Sequence, residues 1–362
     1  MCIRDSSQPV HAFRYTCGAS NGYSGGSRRA RERSHQSGIH FGRRVLGPDA
    51  VSYTHLDVYK RQTGNTGKPA VQALLASGEK VRVIGRDAKK LEPFTQKGAE
   101  AFVGKAEDAA QMSKAFQGAT AVYLMIPPLI DEDYRAYQDR VSNAYLTAVT
   151  NARVPYAVTL SSLGAQHPEE TGPIVGCHHL EQKMNSVPGL NVLHLRPGPF
   201  MENLFMSMTP LRTMGFLPGG APGDAPLSMI AAKDIGAYAA KRLHARDFSG
   251  SSIQELLGAR DVTMKEIATV VGTAIGKPKL GYMQVPFMML EPALVQTGMP
   301  KSLAKLLLEM WKAGNAGLLA PQEKRSAINT TPTTIDSFVT EVFAPAYLAQ
   351  SASAVSYTHL LL

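Results

Sequence analysis

From position 63 onward, short apolar runs alternate with longer stretches that carry apolar residues on one helical face. Val71, Leu74 and Leu75 recur at helical spacing, with Pro69 in the first turn and Gly78 beyond the end, so a helix is predicted there. The run VRVIG that follows is typical of a buried strand. The alternation continues with strands at 99–104, 120–126 and 155–162 and helices at 109–118 and 134–152. Such alternation predicts an α/β fold, a doubly wound parallel sheet with helices on both faces.

The second half of the chain shows the same kinds of pattern with a larger share of helix. Thr263 and Glu266 have the spacing of a capping box, and Thr334 is placed to cap a closing helix. The remaining predicted elements are a strand at 191–200, helices at 201–215 and 231–245, a strand at 251–258, and apolar helical stretches at 285–295 and 302–319. These elements predict a small C-terminal α+β region.

The hexapeptide VSYTHL occurs twice, at 51–56 and at 355–360. Repeats of protein origin usually recur as units of about 20–50 residues, which this repeat does not. One short oligonucleotide, read in two frames and on its complementary strand, encodes VSYTHL together with MCIRDS at 1–6 and DVYKRQ at 57–62. That oligonucleotide resembles the end of a sequencing-library adapter. The alternative for the Arg-, Ser- and Gly-rich stretch at 7–50 is a transit peptide.

These boundaries divide the chain into segments of different origin and role. We predict that the native amino-acid sequence begins at position 63. In this prediction, the adapter-derived sequence before it has replaced the first strand of the fold. The predicted segments are a foreign and disordered segment at 1–62, a domain at 63–347 made of a cofactor-binding core at 63–198 and a substrate-side region at 199–347, and a tail at 348–362.

The sequence TGNTG places a glycine turn at the start of the first predicted helix. Glycines at such a turn let the backbone approach a pyrophosphate, and the helix N-terminus adds N–H donors and the positive end of its dipole. Gly64 and Gly67 match the last two glycines of a GxxGxxG pattern, whereas Arg61 stands where the first glycine is expected. A bare turn is the alternative. Within the strand–helix series we predict a dinucleotide site that includes Thr63, Gly64, Asn65, Thr66 and Gly67.

The end of the second strand carries the residues that would select the dinucleotide. An acidic residue usually holds the ribose hydroxyls of NAD at this position. This chain has Arg86 there, followed by Lys89 and Lys90. A guanidinium suits a 2′-phosphate, so Arg86 and Lys90 predict NADP rather than NAD. The alternative is a solvated basic start of a helix.

Composition and charge exclude several classes of protein. The net charge is +9, but residues 1–62 hold ten Lys and Arg against four acids, which leaves +3 for the other 300 residues. A charge of +3 does not favour nucleic acid as a partner. No apolar run approaches the roughly 20 residues needed to span a bilayer, so no membrane partner is expected. Outside the first 62 residues Cys177 is the one cysteine, which is typical of a reducing cytoplasm.

Several motifs in order resemble one known family. TGNTGKPAV, IGRDAKKL, AVYLMIPP, TLSSLGAQHPEETGPIVG and LRPGPFMENL are similar to those of the NmrA-like group of atypical short-chain dehydrogenases/reductases. The resemblance implies a Rossmann core, a small C-terminal substrate-side region and NADP binding. It also implies that the nicotinamide half of the cofactor lies near Ile126, Pro127, Pro128, Ser161 and Pro197. Some members of the group resemble quinone reductases, and others are redox sensors or regulators.

The usual catalytic pair of short-chain reductases is absent. In these enzymes a Tyr donates a proton to the carbonyl, and a Lys four residues later lowers the pKa of that Tyr. Alignment on Glu181 puts Pro173 at the Tyr position and Cys177 at the Lys position. His178 and His179 are therefore the candidate proton donors, with a structural role as the alternative. Neighbouring residues on a helix point about 100° apart, so no metal site is predicted there.

An apolar wall for a flat aromatic substrate is predicted from Phe200, Met201 and Phe205, with ordinary core packing as the alternative. The sequence therefore predicts a cytoplasmic NADP-dependent oxidoreductase that transfers hydride from NADPH to a quinone or a similar small acceptor. The rival prediction is a non-catalytic NADP-binding redox sensor that acts through protein partners, which the missing Tyr and Lys favour.

Overall fold

The computed structural model describes residues 2–4, 54–55, 64–127, 133–296 and 298–349, with only the backbone described for 2–4 and 54–55. Most of the predicted foreign segment, together with Thr63 and Pro128, lies outside these residues. Within them, no helix is both long enough and apolar enough to cross a bilayer.

The strands fall into two sheets. In chain order the described strands are β1 (Cys2–Arg4), β2 (Thr54–His55), β3 (Val81–Gly85), β4 (Glu100–Val103), β5 (Ala119–Leu124), β6 (Tyr156–Leu160), β7 (Asn191–Pro197), β8 (Leu217–Gly219), β9 (Ser251–Leu256) and β10 (Tyr282–Gln284). Strands β8 and β10 pair in parallel as a small separate sheet. The other eight form the main sheet, which runs β4, β3, then β1 and β2, then β5, β6, β7 and β9.

The place between β3 and β5 holds two short pieces instead of one long strand. Thr54 and His55 pair in parallel with the second half of β3, opposite Ile84 and Gly85. Strand β1 pairs antiparallel with the first half of β3 and with β5, and its register shifts within three residues. Every other pair in the main sheet is parallel. Between β3 and β5 the main sheet thus contains residues from the segments 1–6 and 51–62, for which an adapter origin stays a prediction.

Helices cover both faces of the main sheet. The described helices are α1 (Gly67–Ala76), α2 (Ala88–Thr95), α3 (Ala109–Phe116), α4 (Tyr134–Ala152), α5 (Ile174–Asn185), α6 (Met208–Thr213), α7 (Ala232–Ala245), α8 (Met264–Ala274), α9 (Phe287–Gln296), α10 (Lys301–Asn315) and α11 (Ile335–Phe338). Helices α1, α2 and α7 share one core with alternate strand residues such as Tyr123. Helices α3, α4 and α5 share the other with Val122 and Leu124. The predicted doubly wound sheet is confirmed.

A third core lies in the C-terminal region, where α6, α8 and α11 pack together. Thr263 and Thr334 cap their helices, as the sequence predicts. The predicted helix at 201–215 is instead a 3-10 helix, Met201–Ser207, followed by α6. Pro210 explains the break, because it has no N–H to continue the first helix but fits the first turn of a new one. Helix α7 and strand β9 belong to the main sheet again, because β9 pairs with β7 and α7 packs in the core of α1 and α2. The C-terminal region is therefore not built from one continuous segment.

Candidate functional site

The glycine turn lies at the N-terminus of α1. Gly64 has φ of 65°, a left-handed conformation that favours glycine, and its carbonyl accepts a hydrogen bond from Lys68 N at 3.0 Å. Thr66 is buried, and its Oγ1 accepts a hydrogen bond from the Tyr123 hydroxyl at 3.3 Å. Gly67 opens the helix and is buried. The hydrogen bond from Tyr123 on β5 therefore fixes the position of the turn. The N–H groups of the first turn of α1 follow directly after it.

Gly236 on α7 contacts the same turn, a role that was not predicted from the sequence. A Cβ at Gly236 would lie 2.0 Å from the Thr66 carbonyl oxygen and 2.6 Å from Pro69 Cγ. The backbones of α1 and α7 therefore meet at a distance that only glycine permits. The signal that could identify such a residue is a glycine inside a predicted helix, which usually marks close packing.

Arg86 follows β3 at the edge where the parallel strands end, and it is half-buried. It makes no hydrogen bond or ion pair with another residue of the described ranges. Asp87, the acid beside it, instead caps α2 through Lys89 N at 2.9 Å. Burial raises the pKa of the Tyr137 phenol, and the nearby Arg86 charge opposes part of that shift. Lys90 is exposed on α2. The Arg86 guanidinium is thus available to an anionic ligand.

The exit of β5 leads to the predicted nicotinamide side. The Tyr145 hydroxyl donates to the Met125 carbonyl at 2.8 Å, which fixes the end of the strand. Ile126 is half-buried and Pro127 is buried. Both lie at the same edge of the sheet as the glycine turn, because the strands are parallel.

Ser161, Glu181 and Arg196 form a buried polar network across β6, α5 and β7. Ser161 Oγ donates to Glu181 Oε1 at 2.5 Å. Arg196 binds the same carboxylate through two bonds, Nε to Oε1 at 2.9 Å and Nη2 to Oε2 at 2.6 Å. All three residues are buried. Glu181, the residue on which the short-chain reductase motif is aligned, therefore links α5 to β7 and to the end of β6. It also orients the Ser161 hydroxyl.

The positions of the missing catalytic pair have structural roles. The Pro173 carbonyl, just before α5, accepts a hydrogen bond from Gln138 Nε2 at 2.8 Å. Cys177 is half-buried as a residue, but its thiol is desolvated. That burial, with a smaller effect of the Glu181 carboxylate, raises the pKa of the thiol to about 12. Cys177 therefore stays a neutral thiol at physiological pH and cannot replace the ammonium group of a catalytic Lys.

The two histidines point to different partners. His178 Nδ1 donates to the Ala165 carbonyl at 2.9 Å, so its other ring nitrogen is an acceptor while the ring is neutral. His179 Nδ1 lies 3.2 Å from Asp139 Oδ1 on α4, an oxygen that Lys183 Nζ also contacts at 3.3 Å. In both rings the contact uses Nδ1, so the role of either histidine as a proton donor stays a prediction. No group of three or more metal-binding side chains occurs in the described ranges.

Helix α10 covers the loop at 161–173, and the sequence did not predict this contact. Gly172 has φ of 58°, and a Cβ there would lie 2.0 Å from the Leu306 carbonyl oxygen. Glu309 Oε1 accepts from Gly172 N at 3.1 Å and contacts Arg135 Nη2 at 3.5 Å. The loop that follows β6 is therefore held by the C-terminal region as well as by Arg196.

The three predicted substrate residues do not form one wall. Pro197 is buried, and Phe200 packs against the core of α1, α2 and α7. Met201 is 2% exposed and belongs to the C-terminal core. The Phe205 ring lies 6.2 Å from that of Phe338 and 5.6 Å from that of Phe343, in the same core. The chain changes direction between Phe200, which is extended, and Met201, which begins the 3-10 helix.

Glu202 is a half-buried acid beside this exit. Both of its carboxylate oxygens accept from Ala232 N, at 3.1 and 3.0 Å, at the start of α7. Ala231 at the cap position has no side chain that could do so. Burial raises the pKa of Glu202 to about 7. Glu202 thus links the segment after β7 to the start of α7, the helix whose Gly236 contacts the glycine turn.

Comparison with known proteins agrees with this geometry. An NADPH-dependent quinone oxidoreductase from Escherichia coli, solved with NADPH, matches with 22% identity and a TM-score of 0.66, over 81% of this chain and 99% of that one. Triphenylmethane reductase from Citrobacter matches with 18% identity and a TM-score of 0.62, over 81% and 100%. The quinone oxidoreductase thus holds NADPH, the cofactor that the sequence predicts for this chain. A search of curated proteins found no match.

A regulator has the same fold. NmrA, a negative transcriptional regulator solved with NADP, matches with 14% identity and a TM-score of 0.59, over 83% of this chain and 97% of that one. The sequence profile of the NmrA-like family matches residues 61–339, about three quarters of the chain. The protein therefore belongs to the NmrA-like family.

Proposed function

We propose that this protein is an NADP-dependent oxidoreductase that passes hydride from NADPH to a quinone or a similar small acceptor. The observation that carries the proposal is the pairing of a left-handed Gly64 at the start of α1 with an Arg86 guanidinium that no described carboxylate occupies. The first suits a pyrophosphate and the second a 2′-phosphate. Ile126, Pro127 and the end of β7 would flank the nicotinamide.

The absence of a Tyr–Lys pair favours an acceptor that needs little acid catalysis. Bound NADPH would supply a hydride, which adds two electrons and one proton to the acceptor. A quinone that receives hydride becomes a hydroquinone anion, which takes its second proton from water. A ketone would need a proton donor in the site, and His178 and His179 both have other partners. The quinone oxidoreductase and the dye reductase among the relatives agree with this choice.

The second candidate is a non-catalytic NADP-responsive regulator in the cytoplasm. Pro173 and Cys177 at the positions of the catalytic pair favour it, as does the likeness to the regulator NmrA. In both candidates a small molecule, and not nucleic acid, binds the site, because residues 63–362 carry a net charge of only +3.

Oxidation of NADPH in the presence of a panel of quinones and dyes separates the two candidates. The oxidoreductase should consume NADPH with at least one acceptor, and Arg86→Ala should raise the KM for NADPH. Lys97→Ala, at an exposed lysine near α2, is the matched control. Binding of NADPH without turnover of any acceptor would favour the regulator. If the chain as it stands fails to bind, the same assay on a chain with a restored first strand and Arg61→Gly tests the site itself.

A further inference from the structure

Helix α9 exposes an apolar face that nothing in the described residues covers. Met288 is 83% exposed, Met289 59% and Val295 39%, and Met283 on the preceding strand is 48% exposed. Leu290 is the buried residue of this helix. At about 100° per residue, Met288 and Val295 lie within about 20° of each other on the helix surface. Met289 lies about 100° around the helix from Met288, so the exposed side chains form a broad apolar face, called here the α9 ridge, and the half-buried Glu291 lies about 60° from Met288 at its border.

A row of lysines lies beside this ridge on α10. Lys301, Lys305 and Lys312 are exposed and fall within about 40° of one another around the helix axis. Lys312 Nζ lies 5.9 Å from the centre of the Phe287 ring, which places the row next to the start of α9. None of the three makes an ion pair with another residue in the ranges described. The acid of this helix, Glu309, is already bound to Arg135 and Gly172 N.

We propose that the α9 ridge and the lysine row form a docking surface for an anionic membrane. Methionine side chains suit the boundary between headgroups and acyl chains, and a row of cations beside them suits anionic headgroups. A second copy of the chain is a poorer partner, because its α9 and α10 offer three exposed lysines against only the half-buried Glu291 and a Glu309 that is already bound. The surface would hold the protein at the bilayer without crossing it, which revises the expectation of no membrane partner, since that expectation rested only on the lack of a spanning segment. It does not depend on the proposed reaction.

Co-sedimentation of the full chain with lipid vesicles tests the proposal. We expect binding to phosphatidylcholine vesicles that contain about 30 mol% phosphatidylglycerol and much weaker binding to phosphatidylcholine alone. Met288→Ser with Met289→Ser should weaken binding by about tenfold or more. Lys301→Gln, Lys305→Gln and Lys312→Gln together should weaken it on the order of 100-fold.

Two controls keep the outcome specific. Ile328→Ser removes a side chain that is 72% exposed elsewhere on the surface, and Lys324→Gln removes an exposed lysine elsewhere. Both should leave vesicle binding unchanged. Equal binding to the two kinds of vesicle, or equal loss in the control variants, would overturn the proposal. So would a dimer by light scattering that Met288→Ser with Met289→Ser dissociates. Loss of NADPH oxidation with vesicle binding retained would refute only the proposed reaction.

Discussion

Replacement of Arg196 by methionine isolates the buried network around Glu181. Met keeps an unbranched apolar chain in the same space but removes both hydrogen bonds to the carboxylate. The side chains of Arg196 and Glu181 are 6% and 3% exposed, so water has little access to replace the lost bonds. Glu181 would keep the hydrogen bond from Ser161 alone. Leaving one charge of a buried pair unpaired costs about 3–5 kcal/mol of folding free energy.

Two further variants show where that free energy comes from. Ser161→Ala removes one hydrogen bond but leaves the ion pair, and should cost about 1–2 kcal/mol. Glu181→Leu with Arg196→Met removes both charges, and should lie within about 1–2 kcal/mol of the unmodified chain. Urea unfolding, followed by circular dichroism and by the fluorescence of Trp311, the one tryptophan, gives the free energies for the cycle.

Either of two results would refute this account of the Glu181–Arg196 network. If Arg196→Met costs less than about 1 kcal/mol, the carboxylate is not desolvated as the structure indicates. If Glu181→Leu with Arg196→Met is as unstable as the sum of Arg196→Met alone and Glu181→Leu alone, then Glu181 and Arg196 do not stabilise each other, and the network does not hold the loop after β6.

Three other predictions concern the surroundings of the site. Gly236→Ala should lower stability by about 3 kcal/mol and weaken NADPH binding, because its Cβ would lie 2.0 Å from the Thr66 carbonyl oxygen; thermal unfolding and a fluorescence titration measure both. Glu202 has a pKa of about 7 in the folded chain against 4.5 ordinarily, so stability should fall by up to about 3 kcal/mol as pH rises between those values, and Glu202→Gln should flatten that fall in urea unfolding. Cys177, with a pKa of about 12, should react with a disulfide reagent at pH 8 only after unfolding.

Each of these predictions has its own control. Gly281→Ala, at an exposed glycine where a Cβ would meet nothing within 4 Å, should change neither stability nor cofactor binding by a comparable amount, so a similar loss there would mean that Gly236→Ala acts non-specifically. A stability profile of Glu202→Gln that still falls between pH 4.5 and 7 would assign the dependence to other groups. Because Cys2 and Cys17 also carry thiols, the Cys177→Ser variant identifies its reaction phase; a fast phase lost in that variant would contradict the burial.

The strand–helix order could be predicted because its signals are local. The buried run at 81–85 and the helical spacing of Val71, Leu74 and Leu75 need no knowledge of the rest of the chain. The same holds for the proposed roles of Gly64 and Arg86, which follow from their position after a strand or before a helix. Predictions of this kind depend on neighbours in sequence, which a single sequence does show.

The contacts that the sequence did not predict join distant elements. Gly236 meets Thr66 from another helix, and Glu309 binds Gly172 N across 137 positions. Met201 and Phe205 have the composition of a substrate wall, but the turn after Phe200 directs them into the C-terminal core. The place between β3 and β5 could be expected to lack its native strand, yet no local pattern indicates that β1 would lie there antiparallel.

The affinity for NADPH compared with that for NADH tests the central claim most directly. Equilibrium titration of the chain and of Arg86→Ala with both nucleotides should show NADPH binding roughly 10- to 100-fold more tightly, the range expected for hydrogen bonds to a charged group. Arg86→Ala should remove most of that preference and change the affinity for NADH little. Equal affinities in the unmodified chain, or a preference that survives Arg86→Ala, would contradict the assignment of Arg86 to the 2′-phosphate.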